Sequence, residues 1–118
     1  MNDPARIDAY HAHIYYDAIS RPRAAALRAA IEQNFTVTMG RWHDIPVGPH
    51  PQAMYQIAFR PDQFPALAPF LMMNQGGLTI LLHPESGRPL DDHTINAAWM
   101  GQVLPLVTRI LPEIARHA

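Results

Sequence analysis

Strand-like and helix-like patterns alternate along this chain, and their order limits the possible folds more than any other feature. Aromatic and β-branched residues, often alternating with polar ones, predict strands, and apolar residues at helical spacing predict helices. The predicted strands are residues 9–16, 35–39, 53–60 and 78–83, and the predicted helices are 24–34, 61–73 and 103–116. Proline or glycine stands near most of the boundaries.

The order of these elements is β-α-β-β-α-β followed by a helix, which is the ferredoxin-like arrangement. We therefore predict an α+β fold, in which helices cover one face of an antiparallel sheet, with an added C-terminal helix. The 118 residues fit a single domain, 1–118, and leave no room for two. The other face of the sheet would then be free for a site or a partner.

The composition excludes several classes of function. Without cysteine there can be no disulfide, zinc–thiolate site or cysteine nucleophile. A formal net charge of −1 argues against nucleic-acid binding, which needs a basic surface. No apolar run approaches the roughly 20 residues of a membrane span, and the first residues do not resemble a signal peptide. We therefore expect a cytoplasmic protein that binds neither nucleic acid nor membrane.

Histidines collect on the sheet face that the helices are expected to leave free. Side chains alternate along a strand, so His11, His13 and Tyr15 share one face of the first strand, and His83 points to the same face of the fourth. These two strands are neighbours in a ferredoxin-like sheet, so His11, His13 and His83 are predicted metal ligands. Imidazoles suit iron, zinc, copper or nickel. Glu85, Asp91 and Asp92, which follow His83 in the sequence, are the candidates for a carboxylate ligand that would complete the set.

Two further histidines, His50 and His93, fall in predicted loops and are candidate acid–base residues. A rigidly held imidazole near a metal can exchange protons with a bound substrate. His50 is flanked by two prolines, and Thr94 after His93 is a possible helix N-cap. The simpler interpretations are a hydrogen-bonded structural histidine on a strand, and a water-exposed histidine in a loop. His117 is expected to be a surface residue.

Four short blocks of this sequence resemble the DOPA 4,5-dioxygenase family. They are YHAHIYYD at 10–17, PVGPHP at 46–51, LLHPESG at 81–87, and DDHT at 91–94 with AWMG at 98–101. The resemblance implies a ferredoxin-like fold and extradiol cleavage of a catechol such as DOPA by non-haem Fe(II) and molecular oxygen, although zinc could occupy the purified protein. It carries over five histidines without assigning their roles: His11, His13, His50, His83 and His93. Gln75 departs from the basic residue that the family pattern would place there.

Other functions remain open at this point. The chain could be a non-catalytic metal- or small-molecule-binding module on the same fold, or an interaction protein that dimerises through its free sheet face. A homodimer is predicted in any case, because Met54 and Leu81 should lie on that face and need cover. For an acidic catechol substrate, Arg41, Arg60 or Arg88 could bind the carboxylate.

Overall fold

The computed structural model describes residues 1–115, which build one five-stranded sheet and three α-helices. The strands are β1 (Ala9–Tyr15), β2 (Thr38–Met39), β3 (Met54–Phe59), β4 (Thr79–Glu85) and β5 (Ala98–Met100). The helices are α1 (Arg21–Asn34), α2 (Phe64–Asn74) and the short α3 (Pro89–His93). Single 3-10 turns occur at Pro4–Arg6, Pro61–Gln63 and Thr108–Ile110.

The strand order is β2-β3-β1-β4-β5, and every neighbouring pair is antiparallel. The first four strands stand in the order of a ferredoxin-like sheet, so the predicted α+β fold is confirmed. The fifth strand, which the sequence analysis missed, extends the sheet beside β4. With three residues it is too short to show an alternating pattern.

Helices α1 and α2 pack on one face of the sheet and form the main core. Ala12, Ile14 and Tyr16 contribute from β1 and its end, and they meet Ile31 of α1 and Leu67 of α2. Because Ala12 and Ile14 lie in this core, the predicted alternation of faces along β1 is confirmed.

The turn before α1 is held by Asp17, whose carboxylate accepts hydrogen bonds from the backbone N–H groups of Ile19 and Ser20.

The predicted C-terminal helix at 103–116 is wrong over the part that the structure describes. The C-terminal segment, residues 97–115, is β5 followed by largely extended chain with one 3-10 turn. Pro105 and Pro112 lack the backbone N–H that a helix interior requires. The segment bonds to loops instead: the N–H of Val107 donates to the carbonyl of Pro49 (2.8 Å), and the N–H of Leu90 donates to the carbonyl of Pro112 (3.0 Å).

The sheet face away from the helices is not free. Trp99, Leu104 and Leu106 of the C-terminal segment pack on a second buried cluster made by Tyr15, Met54 and Leu81. Met54 and Leu81 are 4% and 0% exposed, so the argument that they need a second subunit to cover them was wrong. The homodimer itself stays a prediction. Among residues 1–115, no helix is long and apolar enough to span a bilayer.

Candidate metal and acid–base site

The pairing of β1 with β4 brings the three predicted ligands together. His11 lies directly opposite His83 in the register, and His13 is opposite Leu81. One ring nitrogen from each of His11, His13 and His83 lies within 4.8 Å of the other two. His13 and His83 are buried, and His11 is partly exposed. These three residues, taken from two adjacent strands, form a group that can hold a metal ion.

Hydrogen bonds at Nδ1 determine which nitrogen of two of these rings is free. His83 Nδ1 lies 3.0 Å from the carbonyl oxygen of Pro84, and because a carbonyl only accepts, this nitrogen carries the hydrogen. His11 Nδ1 lies 3.2 Å from a carboxylate oxygen of Glu85, which favours the same tautomer. Both rings therefore present an unprotonated Nε2. Such a bond from the second ring nitrogen is the usual companion of metal ligation by histidine.

The distance between His13 and His83 also suits a shared ion. Their Nε2 atoms are 3.0 Å apart. Two nitrogens that bind one ion at about 2.0–2.1 Å lie roughly 2.9–3.4 Å from each other. Because His83 Nε2 is unprotonated, its hydrogen bond with His13 places the hydrogen of the metal-free His13 ring on Nε2, and the buried Nδ1 of His13 makes no hydrogen bond within residues 1–115. The donor set is all imidazole nitrogen, which fits iron, zinc, copper or nickel.

The pKa values of the three histidines favour the neutral imidazole, the form that binds a cation. Burial, with a smaller contribution from neighbouring His93, lowers the pKa of His83 to about 3 and that of His11 to about 4. Burial also holds the pKa of His13 well below its usual range, with His50 and the other rings adding to the effect. These imidazoles are consequently neutral near pH 7. Neutral imidazole is the form that binds metal.

The nearby carboxylates have different roles. Glu85 contacts His11 Nδ1 at 3.2 Å and is therefore a supporting residue for that ring rather than an evident ligand. Burial and the charge of Asp92 raise the pKa of Glu85. Asp92 is buried and accepts hydrogen bonds from the backbone N–H and the hydroxyl of Ser86, at 2.9 and 2.6 Å. This pairing fixes the loop between β4 and α3.

His50 lies against the metal-ligand group although it comes from a distant loop. Its ring centroid is 4.2 Å from that of His13, and it is only 5% exposed. Its Nδ1 is 2.6 Å from the hydroxyl of Tyr15, and burial lowers its pKa to about 4. The interpretation of His50 as a water-exposed loop residue is therefore excluded. The contact with Tyr15 depends on how this loop folds back, which no pattern in the sequence indicates.

His93 closes the other side of the cluster. It is the last residue of α3, and its ring centroid is 4.0 Å from that of His83. Its Nδ1 lies 2.7 Å from the carbonyl oxygen of Pro89, so Nδ1 carries the hydrogen and Nε2 has a free lone pair when the ring is neutral. The predicted helix start at Thr94 is wrong, because α3 ends at His93 and Thr94 donates back to the carbonyl of Leu90. His117 lies outside the described residues.

A cavity of about 660 Å³ lies on the helix side of the sheet, where Tyr10, Phe64 and Leu82 form its apolar wall. Arg6 and Arg88 line it together with Asp3 and Asp91, and of the five histidines only His83 borders it. Of the three arginines considered from the sequence, Arg88 lines this cavity, whereas Arg41 and Arg60 do not. Arg6, in the first 3-10 turn, was not anticipated, because nothing in the sequence connects it to the histidines.

Comparisons with known proteins identify the family and support the fold. The model of the Dopa 4,5-dioxygenase family matches residues 10–110. A DOPA 4,5-dioxygenase of Amanita muscaria is 35% identical over 92% of this chain, which spans about half (51%) of that enzyme's length. A 21.2 kDa protein of Botryotinia fuckeliana is 38% identical over 92% of this chain and 68% of its own. A crystal structure from Nostoc punctiforme PCC 73102, described as a "putative dioxygenase", has 45% identity and a TM-score of 0.92, covering 93% of this chain and 96% of that one.

Proposed function

Since the chain belongs to the Dopa 4,5-dioxygenase family, we propose that it is an extradiol dioxygenase that cleaves a catechol with molecular oxygen and a non-haem Fe(II). The observation that carries the proposal is the convergence of His11, His13 and His83 within 4.8 Å, with their rings neutral. In the reaction the ring C–C bond between one hydroxyl-bearing carbon and its neighbour without a hydroxyl breaks, and both atoms of O2 enter the product.

His11, His13 and His83 would hold the iron. A divalent iron at this position supplies a Lewis acid that lowers the pKa of the catechol hydroxyls and a redox centre for oxygen. Two groups that do not bind the metal hold the ligand rings in position through their Nδ1 atoms. The carbonyl of Pro84 orients His83, and the carboxylate of Glu85 orients His11.

His93 is the proposed proton acceptor. Its Nδ1–H is bonded to the carbonyl of Pro89, so the ring can receive a catechol proton only at Nε2. Its ring lies 4.0 Å from His83 by centroids, which places this base beside the ligand group. Because α3 and the Pro89 carbonyl hold the ring, little rotation is needed before a proton moves.

The cavity of about 660 Å³ is not assigned to the substrate. Tyr10 and Leu82, which line it, lie on the helix face of the sheet, whereas the rings of His11, His13 and His83 lie on the opposite face. The catechol would therefore bind on the histidine face, beside His93.

The test of the proposed function is oxygen uptake. The protein would be loaded anaerobically with Fe(II), mixed with a panel of catechols, and followed by an oxygen electrode and by the absorbance of the ring-opened product. We expect uptake of one O2 per catechol with Fe(II) and none with Zn(II). A protein that binds metal tightly but consumes no oxygen with any catechol would instead be the non-catalytic binding module.

A further inference from the structure

The buried contact between Tyr15 and His50 indicates which nitrogen of the neutral His50 ring carries the hydrogen. The hydroxyl of Tyr15 and Nδ1 of His50 are 2.6 Å apart, and the two residues are 1% and 5% exposed. Tyr15 is held rigidly, since its ring stacks on Trp99 at 6.0 Å and packs beside Met54 and Leu81. The contact therefore joins a fixed phenol to the histidine ring nearest to His13.

Two features indicate that the tyrosine is the donor. The distance of 2.6 Å falls in the range of O–H donors and below the roughly 2.7–3.2 Å of N–H donors. In addition, His50 is the hydroxyl's partner, and no other is found within residues 1–115. If His50 donated instead, the phenol hydrogen would be buried without an acceptor, which is unfavourable. Nδ1 of His50 is thus the acceptor, and the ring hydrogen sits on Nε2.

The two histidines beside the ligand group are therefore fixed in opposite tautomers. His50 carries its hydrogen on Nε2, because Tyr15 occupies Nδ1. His93 carries its hydrogen on Nδ1, because the carbonyl of Pro89 occupies that atom. Their rings are 6.4 Å apart by centroids, and the ring of His13 lies 4.2 Å from one and 6.3 Å from the other. A molecule bound at the ligand group would meet one donor and one acceptor.

We propose that Tyr15 is a positioning residue that locks His50 as a hydrogen-bond donor, so that His50 donates to the substrate oxygen while His93 accepts the proton. The substrate part of this statement rests on the proposed function, whereas the tautomer of His50 does not. As negative charge grows on the oxygen, a donor already in place stabilises it without reorganisation. A ring free to exchange tautomers would present a lone pair to that oxygen part of the time.

The first experiment reads the tautomer directly by ¹⁵N NMR of histidine-labelled, zinc-loaded protein. The His50 signals are assigned by their loss in His50→Gln. We expect a hydrogen on Nε2 and none on Nδ1 in the wild type, and a mixture of tautomers in Tyr15→Phe. Tyr16→Phe is the matched control, because it removes the neighbouring hydroxyl, which bonds to Asp44 on the opposite sheet face. A wild-type His50 with its hydrogen on Nδ1 would overturn the inference.

The second experiment uses the iron-loaded enzyme. Tyr15→Phe should lower kcat about tenfold or more, with KM and metal content unchanged, because the acid–base group remains but is held less well. Tyr16→Phe should keep the wild-type kcat. If Tyr15→Phe keeps the wild-type kcat, the positioning role is wrong. If the wild type turns over no catechol, the proposed function fails, and the NMR result still decides whether Tyr15 fixes His50.

Discussion

The two faces of the sheet use the same strands for different purposes. The helix face of β1 carries Ala12 and Ile14, which pack into the large apolar core with α1 and α2. The other face of the same strand carries His11, His13 and Tyr15, which meet other rings and a much smaller apolar cluster. One face thus supplies most of the burial that stabilises the fold, and the other supplies nitrogen donors.

The difference shows how a small domain can keep several buried histidines. Burying a neutral imidazole without a partner costs free energy, and here most of the partners are other imidazoles or backbone carbonyls. The helix-side core can offset that cost because it is continuous and largely apolar. We therefore expect changes on the two faces to separate stability from metal chemistry.

The largest expected effect is the loss of metal from the histidine face. His83→Ala removes a ring that is bonded or adjacent to His11, His13 and His93. Changing a residue that only supports a ligand costs about 10–100-fold in metal affinity, so losing a ligand should cost more than about 100-fold. His13→Ala should behave in the same way. Metal content is measured by mass spectrometry after gel filtration, with His43→Ala as a control outside the ligand group. Unchanged metal content in both variants would mean that the site is elsewhere.

A change on the helix face should act in the opposite way. Leu67→Ala removes a fully buried side chain from the main core and should lower the free energy of unfolding by about 2–5 kcal/mol. The metal affinity of the folded protein should remain within about twofold, because Leu67 contacts no ligand. Urea unfolding and metal titration on the same sample test both points. A large loss of affinity would show that the two faces are coupled.

Replacing Glu85, which contacts His11 Nδ1, should lower metal affinity less than the loss of a ligand does. Glu85→Gln keeps a carbonyl that can accept from His11 Nδ1 but removes the negative charge. We expect metal affinity to fall about tenfold, the lower end for a supporting residue. A loss as large as that of His83→Ala would instead make Glu85 a ligand.

The smallest effect concerns pH in the metal-free protein. Burial depresses the pKa values of His11, His50 and His83 to about 4, 4 and 3. Between about pH 6.5 and these values the unfolded chain binds more protons than the folded one, so the free energy of unfolding falls as pH falls. We expect a loss of at least about 1 kcal/mol between pH 7 and pH 5. His50→Gln should reduce this slope in urea unfolding, and an unchanged slope would show that His50 is not buried as a neutral ring.

Much of this arrangement could be predicted from the sequence because strands have a period of two. Once residues 9–16 were read as a strand beside 78–83, His11, His13 and His83 had to share a face, and the structure places them there. The contacts of His50 and Glu85 could not be predicted, because they depend on loop paths and side-chain rotations that leave no periodic signal. The extended path of residues 103–115 was missed for a related reason. Its apolar residues suit a helix as well as a chain that packs on a sheet.

The C-terminal segment joins the loop that carries His50 to α3, which carries His93. The N–H of Val107 bonds to Pro49, directly before His50, and the carbonyl of Pro112 bonds to Leu90 in the helix that ends at His93. The six residues from Val107 to Pro112 therefore set the distance between the two segments that carry His50 and His93. In related sequences this stretch should vary freely in side chain, because residues such as Thr108 and Arg109 are exposed. Its length should not vary, because a single insertion would move one histidine relative to the other.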